Sequence, residues 1–262
     1  MRLLGLGTFL AAAFAIGLVF PSSAGAQTVT VAAAADLQFA MQDIVARYQK
    51  ETGMVVKVVY GSSGNFLQQL QNGGPFDLFF SANVEYAKEL EAAGFAEPGS
   101  LYEYATGTLV LWARKDSKVD FAKGLRGLAS PAVRKIAIAN PDHAPYGQAA
   151  VAALRAEGVY DQVSNKLVLG ENISQAATFA LSGAADAGLL ALSLVVSPNM
   201  KDKGRYLEVP APEYPPIRQA CVILKSSPNK REAQGFVTFI KTPQIAQVLK
   251  GYGFGVPGAS AR

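Results

Sequence analysis

From residue 29 onward, short apolar runs alternate with stretches in which apolar residues recur every three or four positions. The run VTVAAA at 29–34 predicts a strand. Over 37–51, Leu37, Met41, Ile44, Val45 and Tyr48 share one helical face, and Gly53 marks the stop. Strands are predicted at 55–60 and 76–81, with helices at 66–71 and 84–93. The series then restarts. Strands are predicted at 109–113, 135–139, 166–169 and 187–192, with helices at 147–157 and 174–181. Buried strands alternating with helices predict an α/β fold whose sheets are mostly parallel. The β-α-β-α-β run occurs twice, near Val29 and near Lys135, which predicts two lobes.

The tail decides how the lobes connect. A strand at 206–209 is followed by Pro210, Pro212, Pro215 and Pro216, which read as a semi-rigid extended connection. One more strand at 219–224 and helices at 231–241 and 243–252 are too little for a third domain. The simplest placement returns this tail to the first lobe. Lobe 1 then comprises residues 27–106 with 217–262, lobe 2 comprises 107–216, and a cleft lies between them.

The first 26 residues stand apart. Arg2 gives a short positive start, an uncharged apolar run follows to Phe20, Pro21 breaks it, and Ala24-Gly25-Ala26 offers small residues at the cleavage positions. This predicts a secretory signal peptide over 1–26 rather than a membrane anchor. No later stretch is long and apolar enough to span a bilayer, so an exported, soluble, periplasmic protein is expected.

Composition narrows the chemistry. One cysteine, Cys221, excludes a disulfide framework, and one histidine, His143, excludes a multi-histidine metal centre. The 24 basic and 20 acidic residues leave a net charge of +4, scattered without a basic block, so no nucleic-acid partner is expected. There is no dinucleotide or phosphate-loop fingerprint and no nucleophile elbow around Gly61-Ser62-Ser63-Gly64. A hydrolytic set of Asp36, Ser63 and His143 can be drawn on paper, but His143 follows Asp142 in a turn and reads as a solvated loop residue. Neither enzyme nor cofactor is expected.

In open α/β sheets, ligands bind beyond the carboxyl ends of the strands. Helices that begin there present free N–H groups and the positive end of a dipole. Four such junctions stand out: Ala35-Asp36-Leu37, Gly61-Ser62-Ser63-Gly64-Asn65, the stretch from Asn140 to Gly147, and Gly170-Glu171-Asn172-Ile173-Ser174. They offer glycine, small polar side chains and N–H donors, and none offers lysine or arginine. Neutral dipoles alone suit a small dehydrated oxyanion that must be held and released. An amino-acid carrier would want charged partners for a zwitterion, and a sugar carrier would want aromatic platforms, of which the junctions have only Phe66 and Tyr146.

These stretches, with Asp77-Leu78-Phe79-Phe80-Ser81-Ala82 and Gly251-Tyr252-Gly253-Phe254, resemble the periplasmic molybdate-binding proteins of ABC importers, over about residues 29–256. The resemblance implies a type II periplasmic-binding-protein fold closing on molybdate or tungstate, a monomeric carrier, and an inner-membrane ABC transporter permease as partner. It also implies four ligand positions, Asp36, Ser63, Tyr146 and Ile173, the last two acting through backbone N–H groups.

The chain departs from the family pattern twice. Many members have a ligand tyrosine where Ala191 stands, a donor that the Tyr146 phenol can replace. Many have serine or asparagine where Asp36 stands, and a carboxylate facing a dianion is repulsive. Two outcomes are open. Asp36 caps its own helix, the expectation favoured by its cap propensity, and then molybdate needs no proton. Or it faces the cleft and accepts a hydrogen bond from a protonated oxyanion such as phosphate, arsenate or phosphite.

Overall fold

The computed structural model describes residues 28–257, so the expected signal peptide lies outside the described residues. In chain order the strands of the first half are β1 (Thr28–Ala34), β2 (Val55–Gly61), β3 (Leu78–Ser81), β4 (Tyr102–Gly107) and β5 (Leu109–Arg114). Those of the second half are β6 (Ile136–Ala139), β7 (Leu167–Gly170), β8 (Ala187–Ala191), β9 (Gly204–Glu208) and β10 (Ile217–Ile223). They form two five-stranded sheets, ordered β2-β1-β3-β10-β4 and β7-β6-β8-β5-β9. In the first sheet β1 pairs parallel with β2 and β3, and β10 pairs antiparallel with β3 and β4. The second sheet repeats the plan: β6 is parallel to β7 and β8, and β5 is antiparallel to β8 and β9.

The central strands explain themselves. β6 reads IAIA and β8 reads AGLLA, and every residue of both is buried. Such runs suit strands covered on both faces by helices, whereas the edge strand β9, GRYLE, is largely exposed. In lobe 1, α1 (Gln38–Thr52) buries Met41, Ile44 and Tyr48 and stops at Gly53, whose φ of 74° is the left-handed conformation glycine adopts freely. α8 (Lys230–Ile240) and α9 (Pro243–Gly251) complete that core layer, where Tyr48 meets Phe236 edge to face. The opposite face is covered by α2 (Ser63–Gln71) and α3 (Val84–Ala92). Lobe 2 carries α4 (Pro145–Ala156), the single-turn α5 (Tyr160–Val163), α6 (Ile173–Ser182) and α7 (Leu192–Val195).

The chain crosses between lobes twice. β4 ends at Gly107 and β5 begins at Leu109, so the first crossing is Thr108 alone. The second is the proline-rich stretch between β9 and β10. The two are tied together, since Leu109 N–H donates to the Tyr214 hydroxyl (3.1 Å) and Val209 N–H donates to the Leu109 carbonyl (2.9 Å).

The short helices α5 and α7 have no counterpart in the sequence expectation, and two further elements differ from it. β4 has no counterpart in it, because YEYATG carries Glu103, Thr106 and Gly107 and is only half covered. And α2 begins at Ser63 rather than Phe66. The second difference matters, because it moves Ser63 from a loop to the first turn of a helix.

Candidate functional site

At the carboxyl end of β1 the chain turns directly into a 3-10 turn, Ala35–Leu37, that runs on into α1. The cap position of that turn is Ala34, which has no side-chain acceptor, and Asp36 sits inside the turn. An Asp in that position cannot serve as its own N-cap. The expectation that Asp36 caps its helix is therefore wrong. Its Oδ2 instead accepts from Gln219 Nε2 at 2.5 Å, and its Oδ1 has no hydrogen-bond partner although the residue is 1% exposed. Burial raises the Asp36 pKa to about 6, against the opposing pull of hydrogen bonding from Gln219, Tyr146 and neighbouring N–H groups.

Gln219 lies on β10, fully buried, and its own Oε1 accepts from the Tyr104 hydroxyl at 2.7 Å. The Tyr146 hydroxyl sits 3.4 Å from Gln219 Nε2 and packs against Gly107, where a Cβ would collide with it. The Tyr146 phenol, considered above as a substitute for the family tyrosine missing at Ala191, thus belongs to the Asp36–Gln219 group. Burial holds both Tyr104 and Tyr146 well above the usual phenol range, so both are neutral hydroxyls.

The second junction starts α2. Ser63 is 1% exposed, and its hydroxyl oxygen accepts from Ala82 N–H at 2.9 Å, which leaves the hydroxyl hydrogen to donate elsewhere. As the first residue of α2, its own N–H has no acceptor within the helix. In lobe 2, Pro145 opens α4, which makes Tyr146 the second residue of that helix. Ile173 opens α6. The Asn172 side chain caps this helix by accepting from the N–H groups of Ser174 and Gln175, and the N–H of Ile173 is not claimed by the cap.

These residues converge. Ala34, Ala35, Asp36, Ser62, Ser63, Ala82, Pro145, Tyr146, Asn172 and Ile173 line one narrow cavity between the lobes. No lysine, arginine or histidine is among its lining residues. A wider groove of about 1100 Å³ on lobe 2, by Lys123, Arg126 and Glu157, is largely open to solvent.

The lobes meet around the cavity. Gly64 N–H donates to the His143 carbonyl at 2.9 Å, and a Cβ on Gly64 would lie 2.5 Å from that oxygen, so glycine is required for this approach. The Ser62 hydroxyl donates to the same carbonyl at 2.6 Å and lies 2.8 Å from His143 Nδ1. Ser174 donates to the Ala35 carbonyl (3.0 Å) and Ser193 to the Asp36 carbonyl (2.7 Å). Asn65 donates to Glu171 at 2.5 Å, and His143 Nε2 stands 3.8 Å from the same carboxylate. His143 is therefore an interlobe contact rather than the solvated loop residue expected, and it pairs with Ser62, not Ser63.

All four sequence-selected residues line the cavity. Gln219, Tyr104 and Ser193 escaped the sequence reading. A glutamine in the apolar run Ile217–Ile223, in alternation with Cys221 and Ile223, was the available signal.

Two lobes of matching strand order, joined by two crossings and closed over a small cavity ringed by helix starts from both, define a binding protein that holds its solute between lobes. The chain belongs to the bacterial extracellular solute-binding protein family, whose model matches residues 29–255. It is 37% identical to the molybdate-binding protein ModA of Rhodobacter capsulatus, over 93% of this chain and 94% of that one. It is 39% identical to the molybdate-binding protein ModA of Azotobacter vinelandii, over 89% and 92%. The solved periplasmic molybdate-binding protein of Azotobacter vinelandii matches with a TM-score of 0.83 at 35% identity, covering 87% of this chain and 99% of that one.

Proposed function

We propose that the cleft captures molybdate or tungstate in the periplasm and delivers it to the permease of an ABC importer. The observation that carries this reading is the convergence of four helix starts, two from each lobe, on one small cavity whose lining has no basic side chain. Ser63 donates to the anion through its hydroxyl and N–H, and Asp36, Tyr146 and Ile173 donate through N–H groups. Dipoles and N–H groups hold a dehydrated dianion without a fixed positive charge that would resist its release. The named relatives bind molybdate, which supports the choice of ion. The protein works as a monomeric carrier and not as an enzyme. The Ser63 hydroxyl has no base beside it, since His143 Nδ1 bonds Ser62. Export through a signal peptide over residues 1–26 completes the reading.

A second reading rests on one atom. The unpartnered Oδ1 of Asp36 suits a protonated tetrahedral oxyanion such as phosphate, arsenate or phosphite.

A thermal-shift panel of oxyanions on the mature chain tests both. A ligand at a thousand times its Kd stabilises by about 4 kcal/mol. At about 2–4 °C per kcal/mol for a chain of this size, molybdate and tungstate should raise the Tm on the order of 10 °C. Sulfate, a smaller sphere that leaves donors out of reach, should raise it much less. Silence from both metal oxyanions at millimolar concentration sinks the first reading, and a large phosphate shift in their place establishes the second.

A further inference from the structure

We infer that the anion is bound together with one proton, held in a hydrogen bond between a ligand oxygen and Asp36 in the closed cleft. The inference rests on the oxyanion reading above and concerns what else must enter the site when the anion does.

Three observations carry it. First, Asp36 is one of the residues lining the cavity and is 1% exposed, so its carboxylate is buried beside the ligand position with almost no access to water. Secondly, its two oxygens are unequal. Oδ2 is occupied as an acceptor by Gln219 Nε2, and Gln219 is turned that way because its Oε1 accepts from the Tyr104 hydroxyl. Oδ1 has no partner at good hydrogen-bond geometry, although the Tyr146 hydroxyl and the local N–H groups lie near enough to favour the charged form. A buried carboxylate oxygen without a partner is costly to leave so, and an O–H on the facing group satisfies it. Thirdly, nothing nearby neutralises the charge. The groups packed against Asp36 are Gln219 from β10, Tyr146 from α4 and, at its carbonyl, Ser193 from α7. Tyr104 of β4 and Tyr146 are the titratable groups whose pKa it raises, and both stay neutral. Among the described residues, no lysine, arginine or histidine hydrogen-bonds to it or forms an ion pair with it.

An ionised carboxylate and a dianion in one dry cavity repel each other strongly. One proton resolves both problems, because it removes a negative charge and supplies the missing partner of Oδ1. The proton comes from solvent as the cleft loads and returns to solvent as it opens. No other bond forms or breaks. The protein is prepared for this, since burial in the closed cleft lifts Asp36 to about 6, and a dianion beside it pushes it further the same way.

The sign of the pH dependence follows. Where the open-cleft carboxyl is already protonated, binding takes up no proton and affinity is level. Once the free carboxylate is ionised, as at neutral and alkaline pH, binding must take a proton up, so affinity falls by about tenfold per pH unit as pH rises.

The test is calorimetric titration of the mature full-length chain with sodium molybdate at pH 7.5, in two buffers of very different ionisation heat, neither containing phosphate. The expected result is a heat difference equal to about one buffer proton per anion. Asp36→Asn should abolish that difference, flatten the pH profile and bind more tightly than wild type at pH 8.5. Equal heats in both buffers, with tight molybdate binding by wild type, overturn the proton inference and leave the ligand assignment standing. Binding of phosphate but not molybdate by wild type overturns the ligand assignment, and this inference with it. The wild-type measurement decides the matter even where a variant fails to fold.

Discussion

The two lobes share a strand order yet meet the cavity differently. Lobe 1 brings side chains: Asp36 and Ser63, each 1% exposed, with Gln219 and Tyr104 behind the carboxylate. Lobe 2 brings backbone. Tyr146 follows Pro145 into α4, Ile173 opens α6, and the cap side chain there is spent on the N–H groups of Ser174 and Gln175. The difference separates two tasks that a binding cleft must perform. Chemical discrimination depends on residue identity and is concentrated in the first lobe. Closure depends on where helix ends stand, and the second lobe supplies two of them, at Tyr146 and Ile173.

Substitutions can break this division. The largest effect is expected at the seam, where Gly64→Val drives a branched side chain into the His143 carbonyl. Overpacking against backbone at the upper end of the usual range, about 3 kcal/mol, for a contact made only on closing, should weaken molybdate binding about a hundredfold. Small-angle scattering should show the variant open with ligand present. A closed profile would mean that the seam is more pliant than its geometry implies. Next comes Ser63→Ala. A hydrogen bond to a charged group contributes about 1.5–3 kcal/mol, so affinity should fall about ten- to a hundredfold. Unchanged affinity by calorimetry would move the ligand away from α2. The smallest effect is expected in lobe 2. Ile173→Val should cost about 0.5–1.5 kcal/mol of stability in chemical denaturation while changing affinity by less than about twofold, because the N–H is kept. A tenfold loss of affinity there would erase the contrast between the lobes.

Most of the architecture was legible because its strands are apolar throughout and its helices stop at glycine, as α1 does at Gly53 and α6 at Gly183. β4 was not, because an edge strand with Glu103 and Thr106 lacks any hydrophobic period. At the site, the junction residues stood out through their place between strand and helix. The fate of the Asp36 side chain did not. Whether an aspartate caps depends on the residue at which the helix begins, and a start two positions earlier, at Ala34, turned a cap into a buried carboxylate. Its partner Gln219 is 183 residues away in sequence, and local periodicity does not report such a pairing.

The crossings between the lobes have a thermodynamic consequence for capture. One is a single residue, Thr108, and the other holds Pro210, Pro212, Pro215 and Pro216. Chain of this kind has few conformations to lose when the lobes come together. A glycine-rich linker would wander while the cleft is empty, and each capture would have to order it again. Here the connection is already restricted by its length and prolines, so little of the attraction between anion and helix ends is consumed in ordering it, and more of it appears as affinity.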